Sequence, residues 1–193
     1  NSLWPGRFTD AQNAELPSEE FLKVENGSNF GWPYCYHDWQ QGKRVLSPEY
    51  GGDGHMVGRC DRYPLPLIGF PGHWAPNDLH FYTGDRFGPR FRNAAFIALR
   101  AGDRGVSDGY KVVAVFANDD GTNGRVADFL TGFRPDLSSS AVWGQPVGLQ
   151  SDSRGNLYVS SDRFTQAIFR VTAGPLLAQW GRGLPDSVIA GQN

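Results

Sequence analysis

The feature that most constrains this chain is a recurring group of short strands separated by turn residues. Asp78 to Thr83, Ala94 to Leu99, Tyr110 to Phe116 and Val126 to Leu130 make one group of four. Val147 to Gln150, Asn156 to Ser160 and Ala167 to Thr172 begin a second, with turn chemistry such as Asn118-Asp119-Asp120-Gly121 and Arg154-Gly155-Asn156 between strands. Tyr110 to Phe116 is rich in β-branched residues, and Ala94 to Leu99 is a short apolar run that predicts a strand buried on both faces. Repeated units of four short antiparallel strands are the signature of propeller blades. At about 40–50 residues per blade the chain holds about three to four blades. The fold class expected is therefore all-β, a partial β-propeller. An open stack leaves strand edges unpaired, which folded proteins avoid, so the chain is expected to be a piece of a longer one.

Composition agrees with many turns and short strands. There are 25 Gly, 13 Pro and a single Met, and hydrophobic residues make up 39%, a globular rather than disordered balance. The net charge of −2 gives no electrostatic case for nucleic acid or an anionic membrane. No apolar run approaches the length of a membrane span. Residues 1–20 read as irregular, Phe21 to Val24 as a short strand, and Ser28 to Pro76 as a long loop stretch of little periodicity. The expected division is 1–174 as propeller and 175–193 as a Gly/Pro-punctuated tail.

Cys35 and Cys60 lie inside the long loop stretch, not at metal-ligand spacing. One reading is a disulfide closing a loop of roughly 25 residues, which would stabilise by about 3 kcal/mol. It would brace the loop and imply an oxidising compartment, periplasmic or secreted. The other reading is two buried thiols.

Four segments carry a family resemblance. They are Asn29-Phe30-Gly31-Trp32-Pro33-Tyr34-Cys35-Tyr36, preceded by Ser18 to Val24; Tyr50-Gly51-Gly52-Asp53-Gly54-His55, running to Gly58-Arg59-Cys60; Gly72-His73-Trp74-Ala75-Pro76-Asn77-Asp78, running to Gly84; and Pro146-Val147-Gly148-Leu149 through Asn156 to Asp162 and on to Ile168-Phe169-Arg170-Val171. In this order they resemble the C-terminal portion of the soluble quinoprotein sugar dehydrogenases, the glucose/sorbosone dehydrogenase family. The resemblance implies a six-bladed β-propeller that binds pyrroloquinoline quinone (PQQ) and calcium. It implies oxidation of an aldose or sugar aldehyde, with electrons passed to an external acceptor such as a cytochrome. Calcium would act as a Lewis acid on the quinone, and a histidine would act as general base. That base belongs to the family's N-terminal half and no segment here matches it, so the chain alone is expected to be inactive.

The resemblance also implies site residues. His73 and Trp74 fall where the family lines its cofactor pocket. Arg100 or Arg104 could meet a cofactor carboxylate, although Arg100-Ala101-Gly102-Asp103-Arg104 departs from the family's run. Gln145 stands where an arginine is expected. Glu20, the Phe30 carbonyl and Asp38 resemble a structural calcium site, since hard oxygen donors suit calcium. The carbonyls of Ala14 and Glu15 match the cofactor-calcium donors. His37, His55 and His80 show no metal spacing, and Asp119 to Gly124 lacks the closing Glu of a calcium loop and reads as a hairpin turn. Two alternatives stand beside the dehydrogenase: a calcium-dependent propeller lactonase, and a non-catalytic binding propeller.

Overall fold

The computed structural model describes residues 4, 6–102 and 108–173. Two compact units emerge. One comprises the described residues of Asn1–Ala75, Gly102–Ser107 and Asn118–Gly124, and the other those of Pro76–Ala101, Asp108–Ala117 and Arg125–Asn193. The expected tail at 175–193 and Arg104 lie outside the described residues.

The first unit opens with helix α1, Asp10–Glu15, in a stretch whose sequence reads as irregular. A capping box starts it: the Gln12 amide donates to Thr9 Oγ1 at 3.2 Å, and the Thr9 amide donates to Gln12 Oε1 at 2.9 Å. These bonds satisfy two of the amides that a helix start leaves without partners. Strand β1, Glu19–Phe21, pairs antiparallel with β4, Ile68–Phe70, some fifty residues on. Between them β2, Cys35–Asp38, and β3, Lys43–Leu46, form a hairpin. All four residues of β2 are buried, including His37 and Asp38, which is why no alternation of apolar and polar residues announces it. Trp4, Phe8, Leu16, Tyr36 and Val45 form this unit's core. Cys35 and Cys60 are joined as a disulfide, tying the start of β2 to the short 3-10 helix Gly58–Arg62.

The second unit holds a four-stranded antiparallel meander in sequence order: β5 (Pro76–Phe81), β6 (Ala95–Leu99), β7 (Lys111–Phe116) and β8 (Arg125–Leu130). Every residue of β6 is buried, as its apolar run predicts. A three-stranded sheet follows, built from β9 (Gly144–Ser151), β10 (Leu157–Phe164) and β11 (Ala167–Val171). Between the sheets sits a core that includes Tyr82, Phe96, Ala98, Phe129, Phe133, Leu149 and Leu157. Phe96 and Phe129 lie 4.3 Å apart between ring centroids. Polar links join the same two sheets: the Leu149 amide donates to Asp78 Oδ2 at 2.7 Å, and Tyr82 Oη donates to the Gly155 carbonyl at 2.7 Å.

The propeller expectation is corrected here. Among the described residues there are four separate antiparallel sheets of two, two, three and four strands, none closed on itself. Only β5–β8 has the four-stranded form that the repeat predicts. Among the described residues the second predicted unit has three strands. The first 75 residues make two ribbons with strands of three or four residues, braced by a disulfide rather than by a wide sheet. Among the described residues the class is all-β, and the expected propeller blades are not shown.

Candidate functional site

Two constellations hold the predicted site residues, one in each unit. In the first unit, the segment Gly72–Ala75 lies against the C-terminal end of α1. The Gly72 amide donates to the Glu15 carbonyl at 2.8 Å, and His73 Nε2 donates to the Asn13 carbonyl at 2.8 Å. Helix ends leave carbonyls without intrahelical partners, and this segment satisfies two of them. Position 72 must be glycine, because a Cβ there would sit 2.8 Å from the Glu15 carbonyl carbon. The backbone then passes through left-handed conformations at His73 (φ 65°) and Ala75 (φ 48°). Such conformations cost energy in residues other than glycine and persist where surrounding contacts impose them, often at functional sites.

A carboxylate not singled out from the sequence helps to hold this segment: Glu19 Oε1 accepts the Ala75 amide at 3.4 Å. Burial raises the Glu19 pKa above its usual value, while the Ala75 and His73 amides and the nearby His73 ring pull it back. Trp74 stacks on buried Phe70 at 5.9 Å between centroids, so part of its ring belongs to packing.

The residues proposed for a structural calcium site are engaged elsewhere. Glu20 forms a two-pronged ion pair with Arg44, with Glu20 Oε2 at 2.5 Å from Nη2 and Oε1 at 3.2 Å from Nη1. Asp38 accepts the Gln40 and Gln41 amides at 2.9 and 3.0 Å, capping the β2–β3 turn. Phe30 lies under the Arg44 guanidinium, 5.8 Å from its ring centroid. The two carboxylates thus have protein partners in this structure. Of the pair Ala14 and Glu15, the Glu15 carbonyl is taken by Gly72. Among the described residues, no group of three or more His, Cys, Asp or Glu is gathered to hold a metal. Asp119 to Gly124 forms a turn in which the Asn118 amide donates to the Thr122 carbonyl at 2.9 Å.

In the second unit the Arg100 side chain pairs with Asp162, Nε to Oδ2 at 3.0 Å. Gln145 is fully buried, and its Nε2 donates towards the carbonyls of Arg100 and Ala101 at 3.3 and 3.5 Å. Its main-chain amide donates to Ser161 Oγ at 2.9 Å. Ala101 is left-handed with φ 57°, so Gln145 braces a strained turn at the end of β6. An arginine at 145 would bring a charge into this site; the glutamine brings hydrogen bonds to backbone. Elsewhere in this unit a cleft of about 390 Å³ is lined by Asp108, Lys111, Asp128 and Arg134 among others. There the Lys111 ammonium lies 2.9 Å from Asp108 and 3.2 Å from Asp128.

Comparison with known proteins identifies the lineage. The TrAA12-like family profile matches residues 12–173. Two solved Trichoderma reesei structures described as Carbohydrate-Active Enzymes Family AA12, one an iodide and one a calcium structure, superpose with a TM-score of 0.60 at 25% identity. They cover 81% of this chain, which spans 44% and 43% of theirs. A Borreliella burgdorferi protein named only as uncharacterized is 26% identical over 165 residues, covering 84% of this chain and 41% of its own. The chain thus spans less than half the length of the relatives it matches. These matches overturn membership of the soluble glucose/sorbosone dehydrogenases, and with it the sugar dehydrogenase fragment, the propeller lactonase and the binding-propeller readings. By a match that covers most of its length, the chain belongs to the TrAA12-like family.

Proposed function

We propose that the protein carrying this chain is a carbohydrate-active oxidoreductase, with this chain forming part of it. The family match over residues 12–173 carries the reading, and the AA12 carbohydrate-active enzymes superposing at 25% identity support it. The substrate class is a small sugar or saccharide end, and electrons pass to an external acceptor. The disulfide supports a periplasmic or secreted setting. Among the described residues no helix is long and apolar enough to cross a membrane.

Calcium and PQQ are the cofactors proposed for the whole protein. Calcium has the calcium structure of an AA12 enzyme behind it. When bound, PQQ would supply the two-electron redox chemistry. This chain's part is positional. Glu19 fixes the loop that presents His73, and Gln145 fixes the turn that follows Arg100. Within the first unit, His73 and Trp74 are proposed to line the ligand side of their loop; within the second, Arg100 is proposed, on its own, as a partner for an anionic group that would have to displace Asp162.

The test is binding followed by turnover. The full-length protein is titrated with PQQ and with calcium by calorimetry, then assayed for sugar oxidation with each omitted. Saturable binding and sugar-dependent turnover support the reading. Turnover without quinone binding removes PQQ and leaves the oxidoreductase; neither binding nor turnover in a folded protein removes both.

A further inference from the structure

Strand β1 ends at Phe21, and the chain makes a tight turn before it reaches β2. The turn is Glu25-Asn26-Gly27-Ser28. The Ser28 amide donates to the Glu25 carbonyl at 3.0 Å, and the Glu25 amide donates to Ser28 Oγ at 2.8 Å. Gly27 takes φ +80°, the left-handed value that a type II turn requires at its third residue and that glycine adopts without steric cost. A Cβ there would meet nothing within 4 Å. The Glu25 carboxylate pairs with the Lys23 ammonium at 2.8 Å, and Lys23 also donates to the Asp120 carbonyl at 3.0 Å. Every residue from 23 to 29 is exposed, and none belongs to a helix or strand. The bonds that hold the turn come from Lys23, Glu25 and Ser28, and the Asn26 side chain takes no part in them.

Asn26-Gly27-Ser28 is also the one place in the sequence where Asn is followed, past a residue other than proline, by Ser or Thr. That pattern is the acceptor for N-linked glycosylation, and its proper context is a surface loop in an exported protein. The exposed turn meets the first condition, and the Cys35–Cys60 disulfide supports the second. A glycan is bulky and strongly hydrated, so a folded chain can carry one only where its anchor stands in water. Asparagines elsewhere show the contrast. Asn13 and Asn156 are 8% and 5% exposed, and their amide nitrogens donate to the Phe8 carbonyl at 3.0 Å and to Asp152 Oδ2 at 2.8 Å.

We propose that Asn26 carries an N-linked glycan in the protein to which this chain belongs. The donor is an oligosaccharide linked through its first sugar to a polyprenyl diphosphate. Asn26 Nδ2 forms a bond to C1 of that sugar as the C1–O bond to the diphosphate breaks. The amide gives up one proton, the polyprenyl diphosphate leaves, and nothing is oxidised or reduced. The proposal rests on the exported setting proposed above and is independent of the oxidoreductase reading. It has a structural consequence: the turn at 25–28 stays in water in the whole protein, and no other part of the protein packs over it.

The test is mass spectrometry of the full-length protein recovered from its natural source, with the material outside the cell and in the cytosol collected separately. Peptides containing residue 26 are weighed before and after an amidase removes N-linked glycans in heavy-oxygen water. The expected result is a sugar mass on Asn26 that the amidase removes, leaving aspartate labelled with heavy oxygen. In the same host, Asn26→Gln and Ser28→Ala are expected to lose that mass entirely. Ser28→Thr is expected to keep it, because threonine also completes the acceptor pattern. Exported protein with Asn26 unmodified, or turned to unlabelled aspartate through attack by the Gly27 amide, would overturn the proposal and leave the exported setting standing. Protein found only in the cytosol, with Asn26 unmodified, would overturn both. A sugar mass that persists in Asn26→Gln would put the glycan on another residue and overturn the assignment.

Discussion

Glu19 and Glu20 are consecutive in β1, yet their carboxylates go to opposite partners: Glu20 Oε2 meets Arg44 Nη2 at 2.5 Å, and Glu19 Oε1 accepts the Ala75 amide at 3.4 Å. Alternation along a strand sends neighbours to opposite faces. One residue therefore locks the ribbons of the first unit, and the other fixes the strained loop at His73. The assignment separates two roles that adjacent acidic residues would otherwise share.

The Arg44 side chain is 2% exposed, and its Nε also donates to the Pro64 carbonyl at 2.7 Å. Removing one partner of a buried ion pair leaves an uncompensated charge and costs about 3–5 kcal/mol. Glu20→Ala is expected to lower stability by about 3 kcal/mol in denaturant unfolding. The response of the melting temperature to calcium should be the same in this variant as in the unaltered protein, because Glu20 is engaged by arginine. Loss of a calcium response on substitution would return Glu20 to a metal site.

Burial raises the Glu19 pKa above 4.5. A carboxyl with a raised folded pKa contributes its stability below the unfolded pKa and loses it as pH rises through the folded value. The unaltered protein should therefore lose stability relative to Glu19→Gln as pH rises from about 4.5 towards neutrality. Melting temperatures of the two proteins across pH 4 to 7 check the sign. A difference that grows in favour of the unaltered protein with rising pH would contradict burial as the dominant influence.

Gln145 is fully buried, and its Nε2 serves the carbonyls of Arg100 and Ala101. Gln145→Ala leaves those carbonyls short of a donor and opens a cavity, for a loss of about 2–3 kcal/mol. Gln145→Glu places a carboxylate against two carbonyl oxygens. It should be more destabilising near neutral pH than in acid, where the protonated group can donate. Unfolding curves at two pH values distinguish the cases, and equal stability of the glutamate variant at both would contradict the bracing role.

The Cys35–Cys60 bridge closes a loop with a sequence separation of 25. Reduction, or Cys60→Ser, should cost about 3 kcal/mol by the loop-entropy argument. A melting curve with and without reductant measures it; no change would mean that the loop is held by its other contacts.

How far the sequence reveals this molecule varies with the segment. Strands β5 to β8 are visible because apolar and β-branched residues concentrate there between turn residues. The hairpin β2–β3 is hidden because His37, Asp38 and Arg44 are polar and buried, so no alternation is written. Pairing of β1 with β4 across some fifty residues leaves no local trace. Helix α1 did have a signal, since Thr9 and Gln12 stand at capping-box spacing. The propeller expectation overreached because strand spacing speaks to sheets and not to how many strands each will hold. At the candidate site the Gly72-His73-Trp74 motif draws attention to His73. Glu19 was not legible, because nothing in a pair of adjacent glutamates says which one turns inward.

The most direct measurement of the central claim is sugar-dependent reduction of an electron-accepting dye by the full-length protein supplied with calcium and PQQ, across a panel of monosaccharides and oligosaccharides. The account predicts reduction that depends on the carbohydrate and disappears when the sugar is left out. A folded protein with its disulfide intact that reduces no dye with any carbohydrate, under any of the cofactor conditions, would contradict it.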